Sequence, residues 1–123
     1  MPFAPVMTME QAKKSFYNFS ENDVTLKYMT STMNAKRDFV ERCPAVSHID
    51  NTARPQVVKK NEDPFLWNLL TEWEKASGEY SLINTSFNAH EEPIVNTFEN
   101  AIDALRKNIV DILLIENNFI LKK

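Results

Sequence analysis

The stretch DPFLWNLLTEWEKASGEYSLI, residues 63–83, decides the fold class. Asp63 suits a helix N-cap, and Pro64 follows at the first helical position, where a missing N–H costs nothing. Leu66, Leu70 and Trp73, with Phe65 and Leu69 beside them, recur at helical spacing and predict a buried apolar stripe. Gly78 stands where a left-handed C-cap belongs. Tyr80 to Ile83 is then a short β-rich run leading into NTSFN. A helix handed directly to a strand is the alternation of an α/β fold.

The same reading extends in both directions. Thr97 caps a second helix, with Glu99 in its first turn and Ala101, Ile102 and Leu105 on its buried face. Asp111 to Ile115 reads as an apolar strand and Phe119 to Leu121 as another. Toward the N-terminus, Thr8 and Gln11 have capping-box spacing and predict a helix from Met9 to Phe16. Ala35 to Arg42 reads as a short helix stopped by Pro44. Val24, Leu26 and Tyr28 alternate with polar residues and read as a half-buried strand; Val46 to Asp50 and Gln56 to Lys59 read as short strands. Met1 to Met7 is apolar but broken by Pro2 and Pro5, so it is not expected to be a central strand. With no repeat, low-complexity tract or linker, the expectation is one α/β domain. It has a small twisted mixed sheet with two or three packed helices.

Composition narrows the function classes. The chain has 123 residues, 43% of them hydrophobic, which suits a modest core. A formal net charge of −3 and the lack of a basic run argue against nucleic acid and anionic membrane as partners. The longest apolar run, Ile112 to Ile115, is too short to span a bilayer, and no basic flank precedes the apolar start. Cys43 is the single cysteine, so no intrachain disulfide forms. A free thiol fits a reducing, cytoplasmic setting and reads as a buried apolar group. Gly78 is the single glycine, against roughly 7% in average proteins, so a glycine-rich phosphate loop is excluded. Any anion site must use side chains and helix N-termini.

Two polar stretches interrupt apolar ones. SHIDNTARPQ, residues 47–56, gathers His48, Asp50, Thr52, Arg54 and Gln56. In an extended segment these five face one side, and Arg54 can grip two phosphate oxygens while Thr52 donates to the same anion. The same residues also suit a polar hairpin with a surface ion pair, and spacing does not choose between the two. NTSFN, residues 84–88, offers two hydroxyls and two amides at a strand end, where α/β sheets bind ligands. Its alternative is a set of Asx and Ser turns. His48 and His90 lie far apart, and no cluster has metal-ligand spacing, so no metal site is expected. Ser86, His48 and Asp50 lack the context of a nucleophile triad, and Glu91 and Glu92 diverge as neighbours.

These stretches carry a resemblance. PAVSHIDNTARPQVV and LINTSFNAHEEPIV are similar to two segments of the O-carbamoyltransferases of the nodulation and antibiotic-tailoring type. PFAPV, the Tyr28–Met29 pair, the Thr97 to Ile102 segment and the ending DILLIENNFILKK resemble further segments in the same order, so essentially the whole chain is covered. Three positions depart from the pattern: Asn51 and Glu91 stand where the family has glycine, and Phe98 replaces the proline usual at the start of its helix. The resemblance implies the last part of a YrdC-like domain, which makes carbamoyl adenylate from carbamoyl phosphate and ATP, with or without Mg2+. An N-terminal ASKHA-type domain, which carries the metal and performs the transfer to a hydroxyl, is implied as partner domain or chain. By the same resemblance Arg54 contacts the phosphate or carbamoyl group and, with His48 and Asp50, forms the candidate catalytic set. Thr52, Ser86 and Asn88 join Arg54 as the candidate nucleotide and carbamoyl phosphate ligands. The family's upstream basic element lies before the segment present here. The alternative is therefore an inactive truncated fragment, or a partner-binding module that retains the fold. Part of the parent sheet is expected to be missing, leaving a strand edge that drives dimerisation or docking.

Overall fold

The computed structural model describes residues 3–116 and the backbone of residues 118–121. Its contacts divide the chain into two compact units, Met1–Thr85 and Ser86–Lys123. The first unit runs β1 (Ala4–Thr8), α1 (Met9–Ser15), a 3-10 turn (Val24–Tyr28), β2 (Met33–Asn34), α2 (Arg37–Arg42), a second 3-10 turn (Pro44–Val46), β3 (Thr52–Ala53), β4 (Gln56–Val58), α3 (Pro64–Ser77) and β5 (Leu82–Asn84). The second holds α4 (Phe98–Arg106) and the strands β6 (Ile112–Ile115) and β7 (Asn118–Leu121).

The α/β class with a mixed sheet stands. The main sheet has the order β4-β1-β5, with β1 parallel to β4 and antiparallel to β5. β2 pairs β3 in a two-stranded sheet, and β6 pairs β7 in another. Four α-helices are present among the described residues, against the two or three expected, three in the first unit and one in the second.

The expectation that the N-terminal apolar segment cannot be central is overturned: β1 is the middle strand, buried along its whole length. Pro5 lies opposite Ile83. Proline has no N–H to exchange, so this is a non-hydrogen-bonded pair, and its flanking residues carry the ladder to β5. The missing donor points toward β4, whose ladder begins one residue later at Val6↔Gln56. A proline is thus accommodated in a central strand by its place just ahead of the ladder. Met1 and Pro2 lie outside the described residues.

β1 separates two cores. On one face Met7 packs with Ala12, Phe16, Phe39, Val46 and Val57; on the other Val6 packs with Val58 and Leu70, with Leu66, Trp67 and Leu82 beside them. The α3 stripe is therefore rotated from the expected one. Leu70 is fully buried with Leu66 and Trp67 half-buried, while Leu69 and Trp73 are exposed. Asp63 caps α3 by accepting from the Leu66 N–H at 2.9 Å, and Gly78 closes it at φ +77°.

Two predicted strands are not strands. In Val24–Tyr28 the Asp23 carboxylate accepts from the Thr25 N–H at 2.9 Å and caps a 3-10 turn. Of the three alternating apolar residues only Leu26 is buried, while Val24 and Tyr28 are 74% and 64% exposed. Val46–Asp50 fails because Pro44 starts a 3-10 turn and the chain then reverses, with the His48 N–H donating to the Thr52 carbonyl at 2.7 Å. In the second unit Thr97 caps α4 as expected, accepting from the Asn100 N–H at 3.1 Å. Ala101, Leu105 and Leu113 form its core, with Phe87, Val95 and Ile102 packed against them.

The capping box at α1 does more than start a helix. Gln11 is fully buried. Its Oε1 accepts from the Thr8 N–H at 2.8 Å, and its Nε2 donates to the Leu70 carbonyl at 3.1 Å and to Glu74 Oε2 at 3.0 Å. Lys14 donates to the other Glu74 oxygen at 2.8 Å. Hydrogen bonds from Lys14, joined by that from Gln11, hold the Glu74 carboxyl below its usual range against a smaller opposing effect of burial. Gln11→Ala removes three bonds and leaves a buried Thr8 N–H unpaired. It is expected to destabilise the chain by about 2–4 kcal/mol in denaturant unfolding.

Candidate functional site

The two polar stretches meet. Asn84, at the end of β5, donates through Nδ2 to Oε1 of Gln56, at the start of β4. These strands flank β1, so the side chains reach across the same end of the sheet. The same Asn84 amide lies 3.5 Å from the Met29 sulfur. Met29 ends its 3-10 turn in the left-handed conformation, at φ +56°. Three segments far apart in sequence thus share one place: the Tyr28–Met29 pair, residues 47–56 and the start of NTSFN.

Within residues 47–56 the expected one-sided extended array does not form, because Ser47 to Asn51 turns back. The Asn51 N–H donates to the His48 carbonyl at 3.0 Å, and Asn51 adopts φ +59°. Its carbonyl accepts from the Ala35 N–H at 2.9 Å, which fixes the loop beside the β2–β3 pair. The reversal brings His48, Asp50 and Thr52 together. The Thr52 hydroxyl donates to Asp50 Oδ1 at 2.7 Å and lies 3.0 Å from His48 Nδ1. A carboxylate can only accept, so the one hydroxyl proton goes to Asp50 and the His48 Nδ1–H donates to Thr52. In the neutral ring this arrangement puts the lone pair on Nε2. The Thr52 hydroxyl holds the Asp50 carboxyl below its ordinary value.

Arg54 follows between Ala53 and Pro55, both buried, and is itself half-buried. Among the described residues it has no hydrogen-bond or ion-pair partner. A guanidinium on an anchored backbone with no carboxylate claiming it can bind an incoming anion without first breaking an ion pair. A cavity of about 390 Å³ borders this loop, lined by Asn51, Tyr17, Ala35, Arg37, Val40 and Glu41. Sequence reasoning did not single out Arg37, which pairs with Glu41 at 2.6 Å. Only the fold places it beside Asn51.

Ser86 and Asn88 belong to the second unit. The Ser86 hydroxyl donates to Asn88 Oδ1 at 2.5 Å, and Asn88 Nδ2 donates to the carbonyls of Ala89 and Glu92 at 2.9 and 3.1 Å. The Glu92 N–H closes a turn onto the Ala89 carbonyl at 3.1 Å, with Glu91 at φ +64°. Glu91 is the third residue of this turn, the place where positive φ makes glycine favoured. Both positions at which the sequence departs from a family glycine are therefore left-handed. Cys43 is half-buried against the larger core, and burial pushes its thiol up, which disfavours the reactive thiolate. Among the described residues no three His, Cys, Asp or Glu side chains gather as a metal site, and no helix is long and apolar enough to cross a membrane.

Comparison with known proteins matches residues 1–123 to the family described as "Carbamoyltransferase C-terminus". An uncharacterised protein of Methanocaldococcus jannaschii is 34% identical over 122 residues, which is 99% of this chain and 19% of that protein. Nodulation protein NolNO of Sinorhizobium fredii is 30% identical, with 99% of this chain matching 18% of it. Nodulation protein NolO of Bradyrhizobium diazoefficiens is 29% identical, with 93% matching 21%. The chain thus spans about a fifth of the length of these relatives.

Glu91→Gly tests the left-handed turn. It is expected to stabilise the chain by about 0.5–1 kcal/mol, because the Cβ penalty exceeds the extra chain entropy of glycine. Glu91→Ala keeps the Cβ and should change little. Paired thermal melts of the two variants make the comparison.

Proposed function

The chain belongs to the carbamoyltransferase C-terminus family, and on that premise we propose that it is the C-terminal part of an O-carbamoyltransferase. Its share of the work is to hold carbamoyl phosphate and ATP while carbamoyl adenylate forms, ahead of transfer to a hydroxyl acceptor. The observation that carries this reading is the convergence of Met29, Gln56 and Asn84 at one end of the sheet, with Arg54, unpaired among the described residues, in the connection that enters β4.

Each residue then has a role. Arg54 offsets phosphate charge with a planar fork of donors. The Thr52 and Asp50 bonds orient the His48 ring, and in the neutral ring they favour the tautomer with its lone pair on Nε2, the form a base needs. Asp50, exposed and ionised, repels an anion, so Arg54 must outweigh it. The length of the relatives supports a further part of the enzyme, in the same or a separate polypeptide; the resemblance of the sequence makes that part an ASKHA-type domain.

Calorimetric titration of carbamoyl phosphate and of ATP, with and without the supplied N-terminal domain, tests the reading. Arg54→Ala is expected to weaken binding on the order of tenfold, from the loss of a charge-assisted hydrogen bond. Arg54→Lys recovers part of that, because an ammonium cannot bind two oxygens in one plane. Ser86→Ala and Asn88→Ala cost less, because they remove neutral groups already bonded within their own turn. Unchanged affinity in Arg54→Ala contradicts the placement. If the complemented protein binds neither ligand, a partner-binding module without catalysis takes its place.

A further inference from the structure

The three-stranded sheet stops at β5, and the backbone says which groups face outward. Pro5 cannot take part in a hydrogen-bonded pair, so the Pro5–Ile83 pair is of the other kind, and the N–H and C=O of Ile83 point away from β1. Among the described residues no strand lies beyond β5, and no backbone group bonds to Ile83 there. Its side chain is 51% exposed.

A cavity of about 410 Å³ runs along this edge. Ser81, Leu82 and Ile83 form its floor. One wall is Cys43 to Val46, from the layer that packs on Met7. The opposite wall includes Trp73, on the helix that packs on Val6 through Leu70. The slot therefore lies between the layers that cover the sheet's two faces, in the position a fourth strand would take. Glu79 stands at the same slot. Its Oε1 lies 3.5 Å from the Arg42 guanidinium, while Oε2 is buried with no hydrogen-bond partner among the described residues. A buried acceptor without a donor is costly and marks a place for a group that supplies one.

We infer that the open edge of β5 receives an extended segment from the part of the carbamoyltransferase outside this chain. This rests on the family reading above, because relatives carry about four-fifths of their length beyond the matched segment. The segment adds as a strand to Ile83, places an apolar side chain between Val46 and Trp73, and brings a donor to Glu79 Oε2. Main-chain bonds supply affinity and the slot selects the side chain. A second copy of this chain is the competing occupant.

Residue-resolved amide hydrogen exchange decides it. In the chain alone the Ile83 amide exchanges fast, while that of Leu82, bonded to β1, is protected. In full-length Sinorhizobium fredii NolNO the residue aligned with Ile83 exchanges at least about a hundredfold slower than Ile83 here. Fast exchange in the full-length relative overturns the inference. So does protection of Ile83 in this chain at high dilution, which means the fold covers its own edge. Protection that rises with this chain's concentration assigns the edge to a second copy and also overturns it. None of these outcomes alters the carbamoyl phosphate and ATP titrations, so the two readings fail separately.

Discussion

The first unit depends on one buried amide. Gln11 completes the cap of α1 with its oxygen and ties α3 with its nitrogen. The two helices are thereby fixed to each other at the end of the central strand, since Thr8 is both the last residue of β1 and the cap of α1. Few other side chains can do this. A carboxylate lacks the donor for Leu70 and Glu74, and an apolar residue leaves the Thr8 N–H unpaired. With α3 fixed, Leu70 seals one face of β1, while Ala12 and Phe16 of the α1 segment seal the other. A strand buried on both faces then becomes the ruler against which β4 and β5 are set.

Setting those strands places the candidate site. Gln56 opens β4 and Asn84 closes β5, and because β4 runs parallel to β1 and β5 antiparallel, these opposite strand ends lie together. The backbone around them makes tight reversals with very little glycine. Met29 and Asn51 take left-handed conformations in the first unit, as Glu91 does in the second. For Asn51 this is inexpensive, because its short amide tolerates that region. Met29 and Glu91 carry a real cost, retained where it shapes the loops that resemble family motifs. A chain with one glycine has thus built its turns from side-chain hydrogen bonds, from Thr52 to Asp50 and from Asn88 to Ala89 and Glu92.

Much of this was legible in the sequence, for local reasons. The capping box, the Asp63–Pro64 start and Gly78 stop of α3, and the Thr97 cap were readable because a cap is settled within four residues. The failures were of two kinds. Val24 to Tyr28 alternates like a strand, yet Asp23 diverts its backbone into a 3-10 turn and only one apolar residue finds a core. Pro5 argued against a central strand by a rule that holds for donors the ladder needs, and its register spares that donor. The candidate site was half visible. His48, Asp50, Thr52 and Arg54 announced themselves by type, but an extended reading put them on one side, whereas a turn at Asn51 gathers the first three. The bond between Gln56 and Asn84 spans 28 residues and rests on strand order, which no local pattern encodes.

Anion binding at Arg54 is tested most directly by a nuclear magnetic resonance titration of the nitrogen-15-labelled chain with carbamoyl phosphate, following backbone amides together with the Arg54 Nε–H and the Asn84 side-chain amide. Binding at Arg54 gives saturable shifts there and across residues 48–54, with the Asn84 side chain responding through its bond to Gln56. Saturable shifts confined to another region, such as the cavity lined by Ser20, Val24 and Lys59, with Arg54 and Asn84 unmoved, would contradict it.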